Sequence, residues 1–354
     1  MTYRWMIAIC ATLALSACKT TAPDDTSDES TEATARDSEK TDEQTETSEA
    51  PYAAPSLDGA PAAVRLSFSS GRLLVTHSDG SFAAWTADDG VTETASLRGT
   101  QVPVAWSPGG SLAMLDSDPP VIVRLSDGKE VLRFVNVEQI ETADFFPDGS
   151  GLFVAEPGGA LHVWNESEET LTSVPTDNLE SFMERQSPSF SANFSSLSGE
   201  ATVTSSNELL LGTKSGKLYW WDPDNPKEVN TLVKLPAAIR DTAYAGGKVY
   251  ATTTGGDFRG ADKSSGVFLE WSNGMKADRV AASSGQPTRL LLADNSTLRM
   301  VDARDGSAIW TRTLEGTEVC GLALSDDGQT GAVCIDGGVV VFAASDASIQ
   351  TTMP

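Results

Sequence analysis

Few side chains in this sequence are equipped for chemistry, and they are scattered. Of 354 residues, four are cysteine and two are histidine. Cys320 and Cys334 flank the turn sequence Asp326-Asp327-Gly328-Gln329, between apolar runs at 319 to 324 and 331 to 335. If Leu324 pairs with Thr330 across that turn, the same register sets Cys320 opposite Cys334. A non-hydrogen-bonded antiparallel pair brings Cα atoms to about 4.5 Å, at the short end of disulfide geometry. In an oxidising compartment, a bond closing a loop of about 15 residues contributes roughly 3 kcal/mol. Two buried free thiols are the alternative, and no third ligand stands close enough in sequence for zinc. His77 and His162 each fall in or beside an apolar run and read as strand polar residues. The acidic turn Asp222-Pro223-Asp224-Asn225 lacks the third spaced carboxylate, the glycine and the terminal glutamate of a calcium loop. No Gly-x-Ser-x-Gly elbow, phosphate loop or His-Glu-x-x-His helix occurs. The sequence therefore predicts no catalytic set, no metal and no cofactor.

Cys18 belongs to a different context. Arg4 supplies a positive flank, Trp5 to Leu15 an apolar run, and Leu15-Ser16-Ala17-Cys18 a close of small residues. The run is shorter than the roughly 20 residues a spanning helix needs. Leu-Ser-Ala-Cys resembles the lipobox of bacterial lipoproteins, which implies cleavage after residue 17 and two or three acyl chains on Cys18. An ordinary secretory signal cut near Ala17 is the alternative. Lys19 stands where some such lipoproteins carry an inner-membrane retention aspartate, so the resemblance implies the outer membrane rather than the inner.

The elements that position these groups begin after a segment of another composition. Residues 18 to 58 are rich in Thr, Ser, Asp and Glu, with hardly a large apolar side chain before Tyr52. Such a segment cannot offset its ordering entropy by burial, and a disordered acidic tether is expected. About 40 flexible residues span roughly 35 Å root-mean-square. The net charge is −25, and about −18 remains beyond residue 50 once the eleven acidic and three basic residues between Lys19 and Ala50 and Arg4 are set aside. No Lys/Arg cluster exists to neutralise phosphates, which excludes nucleic acid as a partner.

Residues 59 to 354 repeat. Seven apolar runs share one pattern, anchored at Trp85, Val123, Trp164, Trp221, Trp271, Val301 and Phe342 with a mean spacing of about 43 residues. Upstream of most anchors lie two more β-rich runs joined by Asp-Gly or Gly-Gly pairs, which supply the positive φ of tight hairpin turns. Three hairpin-linked strands and a weaker fourth, such as 91 to 97, make a four-stranded blade. The expectation is an all-β fold, a single β-propeller of seven blades, with six or eight also compatible. Only about 30 residues separate Trp271 from Val301, which makes the sixth unit the weakest, and no strand exchange between the chain ends is evident.

Phe146-Pro147-Asp148-Gly149 with Trp164 resembles a WD-repeat blade. Gly216-Lys217-Leu218-Tyr219-Trp220-Trp221-Asp222 and 298 to 306, ending at Trp310, resemble quinoprotein-type (PQQ-like) repeats. Quinoprotein enzymes of that kind use adjacent cysteines and a cation site, and neither is present in this sequence. Two insertions break the rhythm. One, 176 to 199, could form a helix with Phe182 and Met183 on one face and Arg185 beside them; the other, 255 to 266, carries Arg259 and Lys263. Long loops in compact domains are usually functional, so these five residues are the candidate partner-binding set. The expected function is a monomeric, non-enzymatic envelope lipoprotein whose propeller binds a protein partner. A role like that of the outer-membrane protein assembly propeller is a sharper form. A small-ligand sensor or quinoprotein-like enzyme using the central channel is the competitor.

Overall fold

Short alternating runs bounded by turn residues dictate hairpins, and the computed structural model of the chain is built almost wholly from them. It describes residues 51–353, leaving out 54–55, 97–101, 157–160, 166–169, 175–201, 204–206, 223–228 and single positions 58, 70, 136, 138, 141, 295 and 317. The signal sequence, Cys18 and the tether as far as residue 50 lie outside the described residues.

The first strand, β1 (Tyr52–Ala53), stands apart from the repeats. Blade one holds β2 (Ala63–Ser69), β3 (Arg72–His77), β4 (Ser81–Thr86) and β5 (Gly90–Ser96). Blade two holds β6 (Val102–Trp106), β7 (Leu112–Asp116), β8 (Val121–Arg124) and β9 (Glu130–Arg133). Blade three is β10 (Thr142–Phe145), β11 (Gly151–Ala155), β12 (Leu161–Asn165) and β13 (Thr170–Val174). Blade four follows with β14 (Thr202–Val203), β15 (Leu209–Gly212), β16 (Lys217–Trp221) and β17 (Val229–Lys234). In blade five only β18 (Ile239–Ala245), β19 (Lys248–Thr253) and β20 (Phe258–Asp262) form the sheet. Blade six comprises β21 (Arg279–Ala282), β22 (Arg289–Ala293), β23 (Thr297–Asp302) and β24 (Ala308–Glu315). Blade seven is β25 (Val319–Leu324), β26 (Thr330–Ile335), β27 (Gly338–Ala343) and β28 (Ile349–Met353). Strands pair in sequence order within every blade, and the innermost strands pack on one another around a closed ring of seven.

The core lies between blades. Leu66, Leu73, Val75 and Trp85 of blade one pack on Ala323, Ala332, Val339 and Val341 of blade seven. Leu112, Met114 and Ile122 pack on Phe145, Leu152, Val154 and Trp164 between blades two and three. Burying one such side chain contributes about 1.5–3 kcal/mol. Trp85, Trp164 and Trp221 are buried packing residues, as the anchor pattern predicts.

Turn chemistry accounts for part of the acidic surplus. Asp79, Asp148, Asp294 and Asp327 each accept the backbone N–H two residues on, at 2.8 to 2.9 Å. Hydrogen bonds to the ionised form hold all four carboxyls below their ordinary range, although partial burial opposes this most at Asp294.

Three expectations need correction. The Trp271 run is not a strand: Glu270–Ser272 is a 3-10 turn. The third strand of blade five is β20 instead, so the sixth unit is not short. Its fourth position is taken by irregular chain, which touches β20 through the Ala261 to Phe268 bridge and the Leu269 N–H donating to the Gly260 carbonyl at 2.8 Å. A Cβ at residue 260 would sit 2.8 Å from Leu269 Cδ1, so glycine permits the approach.

The second correction concerns the boundary at 58/59, because ordered chain begins earlier. Tyr52 pairs in parallel with Leu314, adding β1 as a fifth strand on the outer edge of blade six. Tyr52 is 2 % exposed, its ring lies 5.5 Å from that of Phe342, and its hydroxyl donates to the Ala347 carbonyl of blade seven. Farther along, the Ala63 N–H donates to Gly337 O at 2.7 Å and the Ser78 N–H to Ala62 O at 2.8 Å. The N-terminal chain thus straps blades six, seven and one. No strand is exchanged within a blade, but the ends do meet.

The third is a register. Gly321, not Cys320, stands opposite Cys334, and Leu324 faces Gly331. The register shifts between Val319 and Gly321, leaving Cys320 as the extra residue of a β-bulge.

Candidate functional site

The innermost strands bring together groups far apart in sequence around an axial cavity of about 650 Å³. Arg65, Asp144, Asp241, Arg279 and Cys320 line it, with apolar wall from Leu66, Phe68, Val280 and Leu322. Asp241 is 6 % exposed, and its carboxylate accepts the N–H of Thr242 at 2.8 Å and of Val280 at 3.0 Å. It therefore ties blade five to blade six. The Asp144 carboxylate accepts the Phe145 N–H at 2.9 Å.

The disulfide expected from the sequence is present, joining Cys320 and Cys334 with Cα atoms 5.2 Å apart. The bulge explains how a residue outside the ladder reaches its partner. Cys334 is 1 % exposed whereas Cys320 reaches the cavity wall, so the bond fixes the inner strand of blade seven where it meets blade one.

Of the candidate partner-binding residues, Phe182, Met183 and Arg185 lie outside the described residues, as does the rest of that insertion. Pro223 to Asn225 of the acidic turn lie outside them too. Arg259 is not in a loop but on β20, opposite Ala251, and its guanidinium donates to the carbonyls of Phe258 at 2.8 Å and Ser272 at 3.3 Å. It props up the irregular edge of blade five. Lys263 follows β20, with its ammonium 2.8 Å from Glu208 Oε2 and 3.2 Å from the Trp220 ring centroid. A cation over an indole face and against a carboxylate is held inside the interface of blades four and five. Arg259 braces its own blade and Lys263 ties blade five to blade four, which leaves the apolar tip beside them, Val267 and Phe268, as the exposed feature of that edge.

The two histidines are strand residues, as expected. His77 Nδ1 lies 3.3 Å from the Ser81 hydroxyl, and His162 Nε2 lies 2.7 Å from Glu156. Sequence reasoning missed the strap at Tyr52 and the two cavity arginines. The only available signal for the strap was that Tyr52 is the first large apolar residue after the acidic segment.

Comparison with known proteins places this geometry. The profile of the family described as outer membrane protein assembly factor BamB matches residues 127–352, from blade two to the end of blade seven. No curated protein is detectably similar in sequence. Among solved structures, that of U3-55K superposes with a TM-score of 0.60 at 12% identity, covering 78% of this chain and 89% of the other. The propeller domain of Cps50 (Swd1) from Myceliophteria thermophila gives 0.56 at 16% identity, covering 78% and 94%. At such identities the likeness is one of fold.

Proposed function

We propose that this chain, which belongs to the family of the outer membrane protein assembly factor BamB, is a non-enzymatic, protein-binding propeller of the cell envelope that serves outer-membrane protein assembly. The observation carrying this reading is the family match from the outer strand of blade two through blades three to seven. Acyl chains on Cys18 hold it at the outer membrane, and the acidic segment lets the ring work tens of ångströms from the bilayer. The rigid ring presents the edge of blade five, with Val267 and Phe268, and the insertion at 176 to 199 to a partner while the chain itself stays monomeric.

Two measurements test the reading. Crosslinking in the native envelope should capture a component of β-barrel assembly, and capture of none under conditions that trap known envelope complexes overturns the assembly role. Labelling with a palmitate analogue should mark the wild type and not Cys18→Ser, which should leave the membrane fraction. Equal labelling of both overturns the anchor.

A further inference from the structure

The inner strands carry a charge arrangement that partner binding at the rim does not use. In blades five, six, seven and one, the residue opposite the fifth position of the second strand can be read from the registers. Asp241 faces Thr252, Arg279 faces Ala293, Gly321 faces Cys334 and Arg65 faces Thr76. These four residues form one level of the cavity, with two arginines on either side of a residue that has no side chain.

Neither arginine has a hydrogen bond or ion pair among the described residues, and both are half-buried. The Nε of Arg279 is wholly buried without a partner. Asp241 shares the level, but its oxygens are engaged by two backbone N–H groups. The other cavity carboxylates lie toward the turn end: Asp144 faces Phe153, two positions nearer the turn, and Asp326 lies in the turn beyond β25. In a chain with a net charge of −25, where carboxylates outnumber cations two to one, two arginines left unpaired over one cavity level are an anomaly. A guanidinium presents a planar fork of donors matched to an oxyanion, and a buried unpaired donor costs about 1–3 kcal/mol.

We infer that the axial cavity is a binding site for an organic carboxylate with an apolar body, its carboxylate held by Arg65 and Arg279 across the gap at Gly321. Leu66, Phe68, Val280 and Leu322 supply apolar wall, and a cavity of about 650 Å³ lies in the size range of small-molecule sites. The site stands apart from the partner-binding reading and survives its failure.

The test is calorimetric titration of the full chain, at constant ionic strength, with 3-phenylpropanoate, its neutral counterpart 3-phenylpropanol, and inorganic phosphate. The acid should bind one to one, with the alcohol and phosphate at least tenfold weaker. The pair Arg65→Gln with Arg279→Gln should weaken the acid at least tenfold at an unchanged thermal midpoint, and the corresponding lysine pair should weaken it less. Equal binding of acid and alcohol, or undiminished binding to the glutamine pair, overturns the inference. Phosphate binding as tightly as the acid overturns its apolar half. Should the glutamine pair fail to fold, phenylglyoxal modification of the wild type decides: 3-phenylpropanoate should protect Arg65 and Arg279, and absence of protection overturns the site.

Discussion

Blade five and the seam between blades seven and one solve the same problem by different means. At the seam, complete four-stranded sheets meet, and long-range chain connections secure them: β1 on the edge of blade six, the Tyr52 hydroxyl on blade seven, and the disulfide at the inner bulge. Blade five lacks a regular outer strand and uses side chains instead. Trp271 lies 6.3 Å from Tyr250 and 6.1 Å from Phe258, and it lies so close over Gly306 that no Cβ would fit there. The seam is held by the path of the chain, so it depends on residues near the two termini. Blade five is held by local aromatic packing and depends on neighbours in blades five and six.

The strongest challenge to that contrast is Tyr52→Ala. It removes a buried ring and its hydrogen bond, and a loss of about 4 kcal/mol is expected, as for other large aromatic truncations. Denaturant unfolding measures the loss. Hydrogen exchange should show new opening in β24, β27 and β28 with β18 to β20 unchanged; opening spread evenly around the ring would erase the distinction. Trp271→Ala is the reciprocal experiment, with about 3 kcal/mol expected because the ring is only partly buried. Its exchange signature should fall on blade five and the facing strands of blade six.

Removing the disulfide by Cys320→Ala with Cys334→Ala should cost about 2–3 kcal/mol, since the closed loop is short. The seam should loosen on the cavity side while β1 stays paired. Lys263→Met keeps the stem against Trp220 but removes the charge beside Glu208, for an expected loss of about 1 kcal/mol. Glu208→Gln made on top of it should then cost less than Glu208→Gln made alone.

The smallest effect per residue, though the most widely spread, is pH dependence. The turn aspartates Asp79, Asp148, Asp294 and Asp327 have folded pKa values below their ordinary ones. Their contribution is therefore fully present above the unfolded carboxylate value of about 3.9 and is lost as pH falls through the lower folded values. The thermal midpoint should be flat near neutrality and drop below about pH 4. A midpoint rising over that interval would show that relief of net negative charge outweighs the turns.

The repeat was legible because its signal is local. Apolar alternation followed by Asp-Gly or Gly-Gly locates most strands, and the spacing of Trp85, Trp164 and Trp221 gives the blade count. The same local reading failed at Trp271, because Phe268-Leu269-Glu270-Trp271 has the composition of an anchor strand. Whether such a run becomes a strand depends on a partner edge, and β20 already fills that place. A bulge likewise leaves no trace in alternation, so the pairing of Cys320 with Cys334 could be expected while its register was misplaced by one residue.

Order along the chain is enough to set the blades, their turns and the cysteine pair, because each rests on contacts between residues close in sequence. Tertiary structure alone decided how the ring closes through Tyr52 and which charges share the cavity. Arg65 and Arg279 are 214 residues apart, and Tyr52 and Ala347 are 295 apart. Only closure of the ring, which stacks the inner strands side by side, sets such residues at one level.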